Sequence, residues 1–486
     1  MKKTLLILTG LIVVLLIIII IKTITFKSLQ VKAEPVTLLN FGNESAANLS
    51  KAITFPTISY SPGSPIDTSA FVEFAKFITE KYPLVNSKLN KEVFSEYSLL
   101  YTLRGGNPEL KPVILMAHID VVPPGETDAW TQPPFSGEND GTYIWGRGAT
   151  DDKASLISIL EAVERLLSEG YQPERTIYLA FGHDEEISGL KGASVMASAL
   201  KKRGVEAEFI LDEGMVITVG MVPMISSPVA LIGTSEKGYL SVELTVEMEG
   251  GHSSTPGKES AISVLNKALY NSLNKQMKAT LSEPVKDFIQ YIGPEMPFYA
   301  KAIFANKWLF KGIILNIYKG TNSGNSLVRT TIAPTISNAG IKDNVIPTKA
   351  EAVVNFRILP GEKISDVIQH LNDVISDDRV KISKFEEYNE AMPISPVDVP
   401  AFETIQTTIR QVYPDVIVAP SMHIAATDTR RYADISNNIY RFTPTVYTPE
   451  DMTRNHGLDE RIKIEDFNHG INFYYYLIKN IDKRIP

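Results

Sequence analysis

Apolar and polar positions follow two rhythms along this chain, and the changes between them outline a fold. VILMA (Val113 to Ala117), TIYLAFG (Thr176 to Gly182) and EFIL (Glu208 to Leu211) are short, apolar and partly β-branched, the pattern of buried strands. Ser98 to Gly105 reads as a further strand ahead of them. Elsewhere the spacing lengthens to the helical period. Phe71, Phe74, Phe77 and Ile78 mark a helix over Thr68 to Tyr82, and Ala154 to Leu167 marks another. Strands and helices in this alternation predict an α/β fold with a mixed, largely parallel sheet and flanking helices.

The rhythm changes near Lys237. VALIGTSEKGYLSVELTVEM and NVIPTKAEAVVNFRILPG read as strands, Ile364 to Ile375 as an amphipathic helix, and VKISKFE as a strand. This predicts a small α+β lid domain inserted over 238–387, of ordinary domain size, splitting a catalytic domain into 65–237 and 388–486. The second part predicts a helix over Ala401 to Val412, a strand over Val416 to Ala419, the loop AATDTRRY and a final helix after Ile464. Pro297 to Tyr318 interleaves aromatic and aliphatic residues with Lys301, Lys307 and Lys311. It fits an amphipathic helix pair packed on the lid, with a membrane-interface segment or an apolar acyl pocket as the other readings.

The amino terminus differs from the rest. Lys2 and Lys3 precede an apolar run from Leu5 to Ile21, short for a spanning helix and long for a signal-peptide core. Residues 1–25 are expected to be an uncleaved signal anchor with the catalytic domain outside the cytoplasm, or the leader of a secreted form if cleaved. Lys22, Lys27 and Lys32 beyond the run weaken the charge bias that sets orientation. Residues 26–64 carry little periodicity and are expected to be linker and entry segment.

Composition narrows the functions available. A chain of 486 residues exceeds what one hydrophobic core supports. Its net charge of -8 offers no basic field for nucleic acid. With no cysteine, any metal must be held by His, Asp and Glu.

Those residue types gather where the strands end. His118 and Asp120 follow the first run, His183, Asp184, Glu185 and Glu186 the second, and Asp212 and Glu213 the third. Asp151 and Asp152 lie in the Gly-flanked turn WGRGATDDK, just before a helix. Ligands of α/β sheets collect at the carboxyl ends of parallel strands. Alone, His118 reads equally well as a core residue, and Glu185 with Glu186 as caps of a following helix. Acids are rarely buried unless paired or metal-bound, so their repetition at three strand ends predicts a metal site. Asp120, two residues past His118, is placed to accept the other ring N–H of that imidazole.

The strings AHIDVVP, WGRGATDDK, GHDEEISG, LDEG, GGHSSTPG, NVIP with NFRILPG, and TDTRRY with RNHGLDE occur in that order. Together they resemble the co-catalytic dizinc exopeptidases and amidases, the family of aminoacylase, glutamate carboxypeptidase and succinyl-diaminopimelate desuccinylase. The likeness is greatest to the carboxypeptidase S branch, which includes an enzyme that makes and hydrolyses N-fatty-acyl amino acids. The resemblance implies two Zn2+ per subunit, or another divalent metal, bridged by Asp151. His118 and Asp212 would complete one zinc, Glu186 and His456 the other. It implies Glu185 as general base and His252 as donor to the oxyanion, reaching the site by lid closure or from a second subunit of a homodimer. Asn344 and Arg357 would contact the substrate's oxyanion and carboxylate. Asp428 and Arg430 would line the pocket, in a loop where Ala425 and Ala426 replace glycines frequent in relatives. The implied reaction is hydrolysis of the amide of an N-acyl amino acid or short peptide by metal-activated water. The alternative is a membrane-tethered binding or scaffold protein on an inactive peptidase fold. His183, His370, His423 and His469 carry no motif role.

Overall fold

The computed structural model describes residues 2–384 and 388–485, and the end of the expected strand VKISKFE, with the 387 boundary, lies outside them. The chain forms two compact units. One comprises Lys27–Thr234, Gln290–Pro297 and Ser395–Pro486; the other comprises Met1–Phe26, Ser235–Ile289 and Phe298–Ile394.

The first unit is built on a ten-stranded mixed sheet. Four neighbouring strands run parallel in the spatial order Ile177–Gly182, Val113–His118, Phe209–Asp212 and Ile439–Arg441. Ser98–Leu103 extends the sheet antiparallel beside Ile177–Gly182, and Val229–Glu236 does so beside Ile439–Arg441. Every residue of Val113–His118 is buried, as its unbroken apolar run requires of a strand covered on both faces. Register sets His118 level with Gly182. The residues that follow both strands therefore emerge on one rim. Lys153–Ser168, which packs against the final helix Ile464–Arg484, is buried along most of its length.

Residues 26–64 are not a free linker. Gly42–Ile53 is a helix whose Leu49, Ala52 and Ile53 are fully buried, and Asn48 donates to Glu161 at 2.8 Å. Its apolar spacing is diluted by Asn, Ser and Lys, which hides the period in the sequence. Ahead of it, the Gln30 side chain both donates to and accepts from the Val418 backbone, and Leu39 N donates to Asn472 Oδ1.

In the second unit, Thr331–Ala339, Lys349–Ile358, Gly238–Glu247 and Val380–Lys384 form an antiparallel sheet in that order. Leu240, Val242, Leu244 and Val246 alternate into a core shared with Ala350, Ala352, Val354, Phe356 and Ile358, as period-two strands must. Helices Ala261–Asn274 and Ile364–Ile375 supply Val264, Leu265, Val367 and Leu371 to that core. Pro297 to Tyr318 folds as two helices, Phe298–Ala305 and Lys307–Lys319. The amino-terminal helix Lys2–Thr25 is long and apolar enough to cross a membrane, and its apolar length is exposed.

Candidate metal centre

Two groups of donors meet at the strand-end rim of the first unit, and Asp151 belongs to both. His118, Asp151 and Glu213 form one; Asp151, Glu186 and His456 form the other, with ligand atoms inside each group within 4.8 Å of one another. Asp151 Oδ1 lies 3.0 Å from His118 Nε2, while Oδ2 lies 3.1 Å from His456 Nε2. The two oxygens of one carboxylate thus face two imidazoles. His456 Nε2 is also 3.4 Å from Glu186 Oε2.

Each donor is positioned by a local cause. His118 ends a buried strand, and its Nδ1 donates to the Asp120 carbonyl at 2.9 Å, which leaves the Nε2 lone pair for a cation. The Asp120 carboxylate is 3.5 Å from that ring and accepts instead from the backbone N–H groups of Glu185 and Glu186, at 3.1 and 3.2 Å. It therefore fixes the acid loop while remaining beside the imidazole to which the sequence assigned it. Asp184 tightens the same loop by accepting from Lys191 N and Gly192 N. Glu460, fully buried, accepts from the backbone N–H groups of Gly148, Thr150 and Asp151 and from Arg147 Nη1 at 2.6 Å. Arg147 Nη2 in turn donates to the carbonyl of Gly457, next to His456. One buried carboxylate thereby ties the Asp151 turn to the His456 loop.

The expected ligand Asp212 is corrected to its neighbour. Among the described residues Asp212 belongs to neither donor group, and Glu213 takes its place. Asp212 is the last residue of its strand, and successive side chains on a strand point to opposite faces, so only one of the pair faces the rim. Asp428 is buried against Gly182 and Gly189, behind the acid loop, and Arg430 donates to the Ser188 carbonyl. Gly189 has φ +65°, and a methyl there would collide with Asp428 Oδ1. His252 and Asn344, in the second unit, neighbour each other: His252 faces Val345 across a two-residue ladder, and Ser253 N donates to the Asn344 carbonyl. Arg357 stacks 4.9 Å from the Tyr239 ring. Of the unassigned histidines, His183 is buried against Phe71 and Tyr97 with Ser98 Oγ on its Nδ1, and His469 stacks on Tyr413. His423 lies beside Gly214, a proximity that nothing in the sequence signals.

The electrostatics show charge crowding. Burial and the charge of Asp151 push Glu186 up to about 7, and burial raises Glu185 and Glu213 well above the carboxylate range. Hydrogen bonds to Asp151 and Glu186 push His456 up to about 10. Glu186 Oε1 is buried with no hydrogen-bond partner. Imidazole and carboxylate donors without sulfur, a shared carboxylate and this unsatisfied oxygen fit a pair of divalent cations. His118 is closed off, whereas the His456 side chain is 55% exposed and gives the site a solvent-facing side.

The chain is 43% identical over 98% of its length to the probable carboxypeptidase S-like 2 of Dictyostelium discoideum, covering 94% of that protein. It is 41% identical to the mouse N-fatty-acyl-amino acid synthase/hydrolase PM20D1, over 89% of this chain and 87% of the relative. An M20 family metallo-carboxypeptidase from Sulfolobus solfataricus shares the fold at TM-score 0.65 and 18% identity, covering 90% of this chain and 98% of its own. The profile of peptidase family M20/M25/M40 matches residues 114–480, the span holding every donor of both groups, and the chain belongs to that family of hydrolytic enzymes.

Proposed function

We propose that the protein hydrolyses the amide bond of N-acyl amino acids or of the carboxyl-terminal residue of short peptides, using two zinc ions and Glu185 as general base. The observation that carries this reading is Asp151, whose two oxygens face His118 and His456. His118, Asp151 and Glu213 would hold one ion, and Asp151, Glu186 and His456 the other. Such ions, when bound, supply Lewis acidity and lower the pKa of a water to about 7. Glu185 takes the proton of the attacking water and returns it to the leaving amine nitrogen. Its neighbour Glu186 is a metal donor, and Asp120 clamps both through their backbone N–H groups, which supports giving the two acids separate tasks. On the sequence resemblance, His252 of the second unit is assigned as donor to the oxyanion, and Asn344 and Arg357 to substrate recognition. The amino-terminal helix anchors the chain in a membrane; a homodimer through the inserted unit is the assembly proposed.

The test is Glu185→Gln in purified full-length protein. Elemental analysis should give two metal ions per chain in both proteins, while release of free amino acid from an N-acyl series falls about 100- to 10,000-fold in the variant. Wild-type turnover by a fully loaded variant would remove Glu185 from the reaction.

A further inference from the structure

We infer that helices Phe298–Ala305 and Lys307–Lys319 lie in the headgroup layer of an anionic lipid bilayer, so that the second unit rests on the membrane as well as being tethered to it. The inference rests on the membrane-anchor reading above.

Three observations within this unit carry it. The end of the amino-terminal helix is locked to the joint between the two helices: the fully buried Asn306 donates through Nδ2 to Ile19 O at 3.2 Å, Thr23 Oγ1 at 3.4 Å and Ala302 O at 2.9 Å. Trp308 Nε1 donates to Asn306 Oδ1, and Lys22 Nζ sits 5.4 Å from the centre of the Trp308 ring. When Leu5 to Ile21 fills the hydrocarbon layer, Lys22 marks the boundary with water, and this lock holds Trp308 at the same depth. Indole and lysine are the side chains that favour that boundary.

The surface that follows from this placement is apolar. Phe298, Tyr299, Trp308, Leu309, Ile313 and Ile317 are all more than 40% exposed. Leu309, Ile313 and Ile317 recur every four residues and form one stripe. Charge specifies the lipid. From Met296 to Lys342 the chain has six basic residues and no acidic one, inside a protein of net charge -8. A second copy of the chain fits poorly on such a face, since it would set Lys301, Lys311 and Lys319 against their equivalents, with Glu283 and Asp287 acting only beside Lys307. An anionic headgroup layer neutralises them and takes up the apolar stripe.

Trp308 reports on this directly. The chain has three tryptophans; Trp130 and Trp145 are 8% exposed, and Trp308 is 54% exposed. Full-length protein is reconstituted into phosphatidylcholine vesicles with or without phosphatidylserine, carrying bromine at shallow or deep acyl positions, with Trp308→Phe as the blank. Flotation with vesicles tests the anchor separately. The expected result is emission from Trp308 quenched about two-fold by shallow bromine, less by deep bromine, and more with phosphatidylserine present. Leu309→Asp with Ile313→Asp, at exposed positions, should keep the thermal midpoint in detergent and lose the quenching. A floating protein whose Trp308 is not quenched, or is quenched regardless of phosphatidylserine or of the double substitution, overturns the inference and leaves the anchor standing. Shielding of Trp308 that grows with protein concentration and not with lipid identifies a second copy and also overturns it. A chain that does not float overturns both.

Discussion

Changing Glu460 to glutamine removes one oxygen and one charge from a carboxylate that is wholly buried. In the native site Oε1 accepts from Thr150 N at 2.8 Å, Thr150 Oγ1 at 3.1 Å and Asp151 N at 3.1 Å, and Oε2 accepts from Arg147 Nη1 at 2.6 Å. An amide offers one acceptor and a donor NH2. Whichever way it turns, it sets N–H against N–H, at either the Asp151 turn or the Arg147 guanidinium. Breaking a buried ion pair from one side costs about 3–5 kcal/mol. Arg147 keeps the Gly457 carbonyl at 2.9 Å and the Trp130 ring at 5.3 Å, so the low end, about 3 kcal/mol, is expected. For a unit of this size that lowers the melting point by about 5 °C. Because the same carboxylate holds both the Asp151 turn and, through Arg147, the His456 loop, metal affinity should also fall, by about 10- to 100-fold. Calorimetric melting of chelated protein gives the first number, and zinc titration at fixed pH gives the second. A melting point within 1 °C of wild type together with unchanged zinc affinity would refute the idea that Glu460 joins the two loops.

Gly189→Ala asks for a left-handed backbone at φ +65° and drives a methyl into Asp428 Oδ1; a loss of about 1–3 kcal/mol is expected, with less metal retained after dialysis. Asp377 is held down at about 2, chiefly by its hydrogen bond from Arg379, against an ordinary value of 3.8. A carboxyl with a depressed folded pKa stabilises fully above its unfolded pKa and loses that contribution as pH falls through the folded one. The urea midpoint of Asp377→Asn should therefore trail wild type by a constant margin from pH 7 to 4, and the gap should close between pH 4 and 2. A gap unchanged at pH 2 would mean that the ion pair is not its source. Asn306→Ala should free the end of the amino-terminal helix. Losing about 1–2 kcal/mol of buried hydrogen bonding raises the open population about 5- to 30-fold, read as faster tryptic cleavage after Lys22 or Lys27 in detergent. Unchanged cleavage would leave Asn306 without a locking role.

The meeting of His118, Asp151, Glu186 and His456 at one rim was legible in sequence because each sits in a string with a distinctive order of glycines, acids and histidines. The fifth donor was not, because LDEG offers two adjacent acids and only the phase of the strand decides which one faces the rim. Glu460 was invisible as a positioning group for a different reason: in RNHGLDE it reads as a surface acid, and its partner Arg147 lies 313 residues away in the chain. Asp428 was placed at the pocket through the resemblance of its loop alone, and nothing in TDTRRY signals that Gly182 and Gly189 leave room for its carboxylate. The strands Ser98–Leu103, Val113–His118, Ile177–Gly182 and Phe209–Asp212 were recovered to within a few residues because their runs are unbroken, whereas the three-residue strand Ile439–Arg441 was too short to show a pattern, and Gly42–Ile53 was lost among polar residues that face its buried side as well as its exposed one, Ser45 and Asn48 included.

The hydrogen bond between Thr23 and Asn306 spans 283 residues. At about 5–20 residues per second, a ribosome reaches Asn306 roughly 15–60 s after finishing the amino-terminal helix. Through that interval the greasiest segment of the nascent chain has no partner of its own and must be housed by whatever apolar environment the translating cell provides. Assembly of the second unit is thus a late event in biogenesis, and it starts from a helix already committed elsewhere.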